Sequence, residues 1–300
     1  YALSVSDILL IWKKPIDSIA FQVFIQLRMP RVVMGLLAGF VLGIAGSAYQ
    51  LIFKNPLASP DLTGVASGAS FGAAMVIVLG GSSVLSLTMG AFVAGMVSLL
   101  CVLLLVKMSG GNRIFSYILA GIVISALGNA GIMILKYMAD PLGELAAIEF
   151  WTMGSLFAVT LDKLLICLLS VIVPIVCLLL FSRQLVLLSM GDEQARYLGC
   201  HPQRTRLLML ILTTWMVISL TGVISFVGLI APHIAFLILK QRTKMFVWLS
   251  GIMGAIVLLI ADIFARILLP GAELPLSIFT ILFSTPILII FMIKQRGKWV

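Results

Sequence analysis

Nine long apolar runs dominate this chain and constrain its fold more than any other feature. Each is roughly 20 residues long, the length that a helix needs to cross a hydrocarbon core about 30 Å thick. Hydrophobic residues make up 62% of the sequence and charged residues only 10%, well below the share usual in soluble domains. The chain is therefore predicted to be an all-α polytopic membrane protein. The runs lie at about 31–53, 60–81, 84–106, 114–137, 161–182, 205–224, 226–240, 245–265 and 276–293.

The polar segments between these runs are too short to form a soluble domain. The longest interruptions fall near 138–160 and 183–205. Residues 1–30 are only moderately apolar, and we expect a short amphipathic helix and a connector there. The whole of residues 1–300 is therefore predicted to be a single transmembrane domain.

The distribution of basic residues predicts the orientation in the membrane. If residues 1–30 lie outside and the runs alternate, most Lys and Arg residues fall at the inner ends, as the positive-inside rule requires. The C-terminus is then cytoplasmic. Residues 1–30 would lie outside without a span to carry them there, so we expect a tenth helix upstream of Tyr1. The inner basic residues are Lys54, Lys107, Arg113, Arg183, Arg196, Arg204, Arg206, Lys240, Arg242, Lys244, Lys294, Arg296 and Lys298.

The sequence lacks the patterns of nucleotide-binding and metalloprotease sites, GxxxxGK[ST] and HExxH. An ion-coupled carrier needs an ionisable group inside the membrane, and Asp262 is the nearest candidate. Arg266 follows it at the i,i+4 spacing of a helical ion pair. Asp262 is therefore either a paired surface charge near the outer interface or a proton site. An ion-coupled secondary transporter stays open as an alternative function.

Glycines recur at four-residue steps in the first two runs. Gly35, Gly39 and Gly43 form one series, and Gly64, Gly68 and Gly72 form the other. Small residues at this spacing let helix backbones approach closely in lipid. The pattern favours tight helix packing, and lining of a transport path is the alternative.

Two polar segments at the inner side are candidates for function. The turn 54–61 contains Pro56 and Pro60, which end one helix and allow another to begin, with Asp61 as a cap or first-turn acid. Residues 190–199 place acids before a basic residue and end on Gly199, the order that suits a short helix. Such a helix either lies solvated at the membrane surface or docks on a partner.

Several motifs, taken in order along the chain, resemble the FecCD-type permease subunits of ATP-binding-cassette (ABC) importers for iron-siderophores, haem and cobalamin. The resemblance covers essentially the whole chain. The segments that carry it are Arg28–Arg31, Asn55–Pro60, Trp151–Leu156, Gly191–Glu193, Gly222–His233, Ala261–Ile263 with Arg266, and Glu273–Pro275.

The resemblance implies a type II ABC importer permease fold of ten helices, of which this chain would hold nine. It implies a core of two permeases, identical or paralogous, embedded in lipid. Two cytoplasmic ATPase subunits and an extracytoplasmic binding protein would serve that core. ATP and Mg would bind to the ATPase chains, so this chain would need no cofactor and no metal and would not itself be an enzyme. Nucleic acid is not an implied partner.

The resemblance also assigns roles to individual residues. Arg28, Arg31 and Arg266 resemble arginines that dock the binding protein, and Asn55 and Leu57 resemble a cytoplasmic gate. The loop 184–204 resembles the one that holds the coupling helix fitting into the ATPase. The coupling residues in it are Gly191, Asp192, Glu193, Ala195, Leu198 and Gly199.

Two further positions add to this picture. Ser125 and Asn129 are polar, lie one turn apart in a span, and are candidates to line the path. The family usually has an arginine where this chain has Phe236, and Lys240 one turn later could supply that charge. The expected function is import of a metal chelate across the prokaryotic cytoplasmic membrane by alternating access.

Overall fold

The computed structural model describes residues 10–11, 15, 18–110, 114–156, 159–218, 222–268 and 274–294, and every regular element in these ranges is a helix. Residues 1–9, 12–14 and 16–17 of the predicted connector, together with Arg113, Glu273, Arg296 and Lys298, lie outside the described residues. The helices are α1 Ile19–Ile52, α2 Val65–Val78, α3 Val84–Met108, α4 Ile114–Met138, α5 Glu144–Met153, α6 Leu161–Leu180, α7 Ser182–Met190, α8 Asp192–Tyr197, α9 Pro202–Ile218, α10 Val227–Leu239, α11 Lys244–Ile267 and α12 Leu276–Lys294.

The predicted polytopic all-α fold is confirmed, because each predicted run coincides with a helix. Within the described residues, five helices are long and apolar enough to cross a membrane: α1, α3, α4, α6 and α11. Helices α2 and α10 and the segment Leu276–Ile290 of α12 are shorter apolar stretches. Two of these three, α2 and α10, begin next to breaks in regular structure, which accounts for their shortness.

The structure differs from the sequence prediction at three places. The first helix begins at Ile19, so residues 19–30 continue into the span instead of forming a separate connector, with a π-helical segment at Val23–Arg28. The interruption at 138–160 contains a helix, α5. The predicted span 60–81 is helical only from Val65, because Pro60–Thr63 forms a 3₁₀ turn and Gly64 adopts a left-handed conformation with φ 71°.

The glycine series of α1 packs against α11, as predicted from its spacing. A Cβ added at Gly39 would lie 2.6 Å from Ala255 Cα, and one at Gly43 would collide with the carbonyl oxygen of Ser250. Residue numbers rise along α1 as they fall along α11, so the two helices are antiparallel. Their backbones can approach this closely only because side chains are missing at the contact.

The second glycine series behaves differently at its first member. Gly68 and Gly72 lie in α2 and face Ser98 and Gly90 of α3, which confirms the packing prediction for these two residues. Gly64 instead precedes the helix and contacts α4 near Gly121.

Candidate functional site

One end of the α1–α11 pair carries a charge cluster of Arg31, Asp262 and Arg266, in which Asp262 is the buried member. Arg31 Nη2 and Nε donate to Asp262 Oδ1 at 2.7 and 3.0 Å. Arg266 Nη2 lies 2.9 Å from Asp262 Oδ2. Asp262 is 0% exposed. The predicted pairing of Asp262 with Arg266 is confirmed, but the expected surface location is wrong because α1 covers the carboxylate.

This geometry bears on both roles considered for these residues. Asp262 Oδ1 accepts hydrogen bonds from Arg31, and Oδ2 lies within ion-pair distance of Arg266, so charge pairing explains the buried acid without a transported proton. The Arg31 side chain is 11% exposed and that of Arg266 is 37% exposed, so Arg266 offers more surface to a partner. Arg28 is partly buried at the end of the π-helical segment. Docking of a binding protein by these arginines stays a prediction.

Two breaks in the helices lie side by side in the interior. The first is the 3₁₀ turn Pro60–Thr63 with Gly64. The second spans 222–226, where Gly222 and Phe226 have φ of 88° and 68°. The backbone of Phe226 lies against the side chain of Asp61, so the two breaks are neighbours. Non-helical backbone at membrane depth is tolerated where it is covered by protein or lines a water-filled cavity.

Hydroxyl side chains of α12 satisfy the backbone of the second break. Ser277 Oγ accepts from Ser225 N at 3.3 Å and donates to Val223 O at 3.2 Å. Thr280 Oγ1 donates to Ser225 O at 2.9 Å. An unsatisfied backbone group in this apolar interior would cost several kcal/mol by the usual order of magnitude. These two residues therefore explain how the chain leaves the helical conformation here.

The C-terminal end of α5 contacts the second break and the start of α12. Val223 N donates to Trp151 O at 3.4 Å, and Leu276 N donates to Gly154 O at 3.1 Å. The structure thus brings together the motifs at 151–156 and 222–233 and the described part of 273–275, which are far apart in the sequence.

A polar cavity of about 370 Å³ opens beside the two breaks. Ser125 and Asn129 lie in its wall, together with Asp61, for which the sequence predicts only a helix cap or a first-turn acid. Lys136 also lines it and pairs with Glu149 of α5 at 2.7 Å. The remaining lining residues are Ala66, Ser67, Ser70, Ile132, Thr152, Val223 and Ser225.

Asp61 was missed as a cavity residue because its position depends on the chain folding back after Pro60. Its only local signal is an acid next to a proline, which predicts a helix start as well as a functional site. Ser125 and Asn129 were found because their one-turn spacing places them on one face of α4. Passage of cargo along these residues stays a prediction.

The Asn55 turn, residues 54–59, lies at the opposite end of α1 from the charge cluster. Asn55 Oδ1 accepts from Leu57 N at 2.9 Å, and Ala58 N donates to Asn55 O at 3.1 Å. Leu57 is 48% exposed. Asn55 therefore shapes the turn and Leu57 projects from it, an arrangement compatible with the gate role, which stays a prediction.

The predicted short helix at 190–199 is present as α8. Its first turn holds Asp192 and Glu193, its last turn holds Arg196, and Gly199 follows with φ 80°. The coupling residues divide into two faces. Ala195 is buried and Asp192 points towards α9, whereas Glu193, Leu198 and Gly199 are exposed and Gly191 precedes the helix with φ 135°. Their contact with an ATPase stays a prediction.

Arg242, and not Lys240, accompanies the unusual Phe236. The guanidinium carbon of Arg242 lies 5.7 Å from the centre of the Phe236 ring, within cation–π range. Lys240 ends α10 with φ 54° and is exposed. Burial lowers the pKa of Arg242 from its ordinary value. An arginine thus reaches this region from the next turn of the chain.

In the part of the chain that the structure describes, no group of three or more His, Cys, Asp or Glu side chains could hold a metal ion. The arrangement offers a polar cavity between helix breaks, with a charge cluster at one end and a helix-bearing loop at the other. These are the features of a component that moves a solute through a membrane.

Comparisons with known proteins agree with this class. The model of the FecCD transport family matches residues 1–294. The hemin transport system permease protein HmuU of Yersinia pestis is 32% identical over 297 residues, 96% of this chain and 88% of that protein. The Fe(3+)-citrate import system permease protein YfmE of Bacillus subtilis is 35% identical over 269 residues, 87% and 79% of the two chains. The molybdate import system permease protein MolB of Haemophilus influenzae is 32% identical over 307 residues, 99% and 90% of the two chains.

Solved structures share the architecture. One described as an inward-facing conformation of a metal-chelate type ABC transporter is 31% identical, with a TM-score of 0.87 over 98% of this chain and 92% of that chain. PsaBC from Streptococcus pneumoniae in complex with Fab is 21% identical and has a TM-score of 0.63 over 87% and 88% of the two chains, which supports the fold alone.

The fold and cavity define a multi-pass transport component of the membrane with the fold of ABC importer permeases. The chain belongs to the FecCD transport family, whose members are ABC transporter permease subunits and not enzymes.

Proposed function

We propose that this chain is the permease subunit through which an ATP-driven importer moves a metal chelate by alternating access. The observation that carries the proposal is the polar cavity at the two helix breaks, which lies between the Arg31–Asp262–Arg266 cluster and the α8 segment. Breaks of this kind give a helical bundle polar backbone and side chains along its interior without exposing them to lipid. In this proposal the cavity belongs to the path.

The cargo that we propose is an iron chelate such as haem or ferric citrate. Relatives named for hemin and for Fe(3+)-citrate cover most of this chain at 32% and 35% identity. A relative named for molybdate is equally similar, so an oxyanion is the competing cargo. The many hydroxyl groups of the cavity and its single amide can bind water or chelate oxygens without holding a metal ion directly.

The proposed assembly contains a second permease subunit, identical or paralogous. Helix α4 is poorly covered by the rest of the chain, since only 17% of its most apolar 18-residue stretch is buried. The helix also carries the polar side chain of Asn129, which is exposed. A polar side chain on a membrane helix is expected to face a partner or a water-filled path. Packing of α4 against a second subunit would enclose the cavity and cover the exposed face of α4 that carries Asn129.

The remaining partners are assigned to the two ends of the molecule. An extracytoplasmic binding protein would dock near Arg28, Arg31 and Arg266, and two ATPase subunits would receive the exposed face of α8. ATP and Mg would bind to those subunits. The excess of basic residues at the α8 side supports a cytoplasmic location for that side and for the C-terminus in this proposal. The host membrane would be a prokaryotic cytoplasmic membrane.

Reconstitution tests this function. The chain would be co-expressed with its ATPase subunit, purified as a complex, and placed in liposomes with binding protein on the outer side. We expect ATP-dependent uptake of radiolabelled ferric citrate or haem, and no uptake with a non-hydrolysable nucleotide. Parallel vesicles with labelled molybdate distinguish the competing cargo. Uptake driven by a proton or sodium gradient without nucleotide would instead establish the ion-coupled alternative and overturn the proposal.

A further inference from the structure

Asp192, at the start of α8, contacts two cations that come from different parts of the chain. Arg206 of α9 donates to both of its carboxylate oxygens, at 3.0 and 3.2 Å. Lys54 Nζ lies 3.7 Å from Asp192 Oδ1. Lys54 lies two residues after the last residue of α1 and precedes Asn55 in the Asn55 turn. One carboxylate thus connects the α8 segment, the helix after it, and the turn predicted to be the gate.

The two contacts differ in strength. The Arg206 side chain is 3% exposed, and its Nη2 donates to both carboxylate oxygens of Asp192, so loss of Asp192 would leave a buried charge unpaired. Lys54 and Asp192 are 32% and 40% exposed and touch at one point only. Contacts of this second kind contribute little to stability and are broken easily. Arg206 therefore anchors the first turn of α8 to α9, and the contact with Lys54 is free to change.

The backbone at Lys54 leads directly into the Asn55 turn. Lys54 has φ 49°, one of few positive values at non-glycine residues in the described chain, and this conformation redirects the chain at the end of α1. The next residue, Asn55, is held by its side-chain hydrogen bond to Leu57 N. The Lys54 side chain is therefore attached to a short, hydrogen-bonded turn.

We propose that the Lys54–Asp192 contact is a breakable tie that transmits movement of α8 to the Asn55 turn. The inference rests on the proposed function, since it assumes that α8 is moved by an ATPase. Asp192 then acts inside this chain as a positioning residue, and the exposed Glu193 and Leu198 are left for the ATPase. A merely structural surface ion pair would have no effect on coupling, and this difference makes the tie testable.

The test measures access to the turn directly. A single cysteine is introduced by Leu57→Cys, and by Pro56→Cys in a second reporter, so that the result does not depend on one side chain. Reporters are placed in the ATPase-bound complex in liposomes, and the labelling rate with a polar maleimide is compared with and without ATP and vanadate. The native cysteines replaced by alanine in this background are Cys101, Cys167, Cys177 and Cys200.

With Lys54 present, we expect nucleotide to change the labelling rate by up to about fivefold, the size of effect that a single exposed ion pair can produce. Lys54→Gln should remove most of this change, and Lys54→Arg should restore it because the charge returns. Lys107→Gln is the matched control, since Lys107 is exposed in the last turn of α3 and has no ion pair within the described residues. It should leave the nucleotide response unchanged.

The possible outcomes distinguish failure of the Lys54–Asp192 tie from failure of the proposed importer function. A nucleotide response that persists in full in Lys54→Gln overturns the tie and leaves the importer intact. A reporter with Lys54 present that shows no nucleotide response, in a complex that also fails to take up ferric citrate or haem, overturns the proposed function itself. Loss of the response in Lys54→Gln with recovery in Lys54→Arg supports the tie.

Discussion

Arg31 and Asp262 lie 231 positions apart in the sequence, yet Arg31 Nη2 is 2.7 Å from Asp262 Oδ1. The contact joins the beginning of the crossing part of α1 to the end of α11, next to the face where Gly39 and Gly43 let the two helices touch. Arg266 binds the other carboxylate oxygen. The cluster therefore holds α1 and α11 together at one end, independently of any partner that its arginines bind.

Asp262→Ala is expected to destabilise the protein strongly. It removes the shared partner of two guanidinium groups, and breaking a buried pair in this way typically costs about 3–5 kcal/mol. The measurement is the thermal unfolding midpoint of the detergent-solubilised complex. Arg266→Gln serves as the comparison and should cost less, because its side chain is 37% exposed. Equal losses for the two variants would contradict the role of Asp262 as the central group.

Gly43→Ala is expected to lower stability through helix contact. The added methyl group would collide with the backbone of Ser250, and forced overpacking typically costs roughly 1–3 kcal/mol. Gly143→Ala is the control, because a Cβ there would meet only Asp140 Oδ2 at 3.6 Å. Unfolding midpoints that fall equally in both variants would show that α1 and α11 do not depend on this close approach.

Asn129→Leu is expected to lower cargo uptake without loss of assembly. The variant replaces an amide in the cavity wall with an apolar group, and we expect a decrease of about tenfold, equivalent to roughly 1.4 kcal/mol in the barrier. Leu127→Ala, on the exposed face of the same helix, should retain uptake. The measurement is the initial rate in proteoliposomes with labelled ferric citrate or haem. Normal uptake in Asn129→Leu would remove the cavity from the path.

Leu198→Asp is expected to weaken binding of the ATPase subunit. Leu198 is 56% exposed at the end of α8, and a charge placed in an apolar contact would have to be desolvated on association. The measurement is the yield of ATPase that co-purifies with the permease. Gln203→Asp introduces the same charge at a nearby exposed position and should retain the ATPase. A similar decrease in both variants would indicate a general charge effect in place of a docking surface.

Local patterns explain which parts of the fold could be predicted. The apolar runs located the helices because the requirement to fill a hydrocarbon core acts on each segment separately. The α8 helix was predicted because its acids, its basic residue and Gly199 act on the ends of one short helix. Helix α5 was missed because its ten residues follow a polar, proline-containing stretch and show no long apolar run.

The site likewise contains residues that spacing could predict and residues that it could not. Ser125 and Asn129 share a helix face, so their joint position in the cavity wall followed from spacing. The choice between Lys240 and Arg242 as the cation beside Phe236 could not be made from spacing, because Lys240 ends α10 in a left-handed conformation that lets the chain turn back. Asp61 lies in the cavity wall because the backbone turns at Pro60–Thr63, and no local sequence pattern predicts that position.

The sequence by itself determined that the chain crosses a membrane many times, which ends of its helices are basic, and which glycines allow helices to touch, because each property depends on residues within a few turns of one another. Only the tertiary structure decided that Asp262 is buried between two arginines, that the breaks at 60–64 and 222–226 meet, and that Asp192 joins Lys54 to Arg206. Those contacts join distant segments, and their energies depend on burial and distance that exist only after the helices have packed.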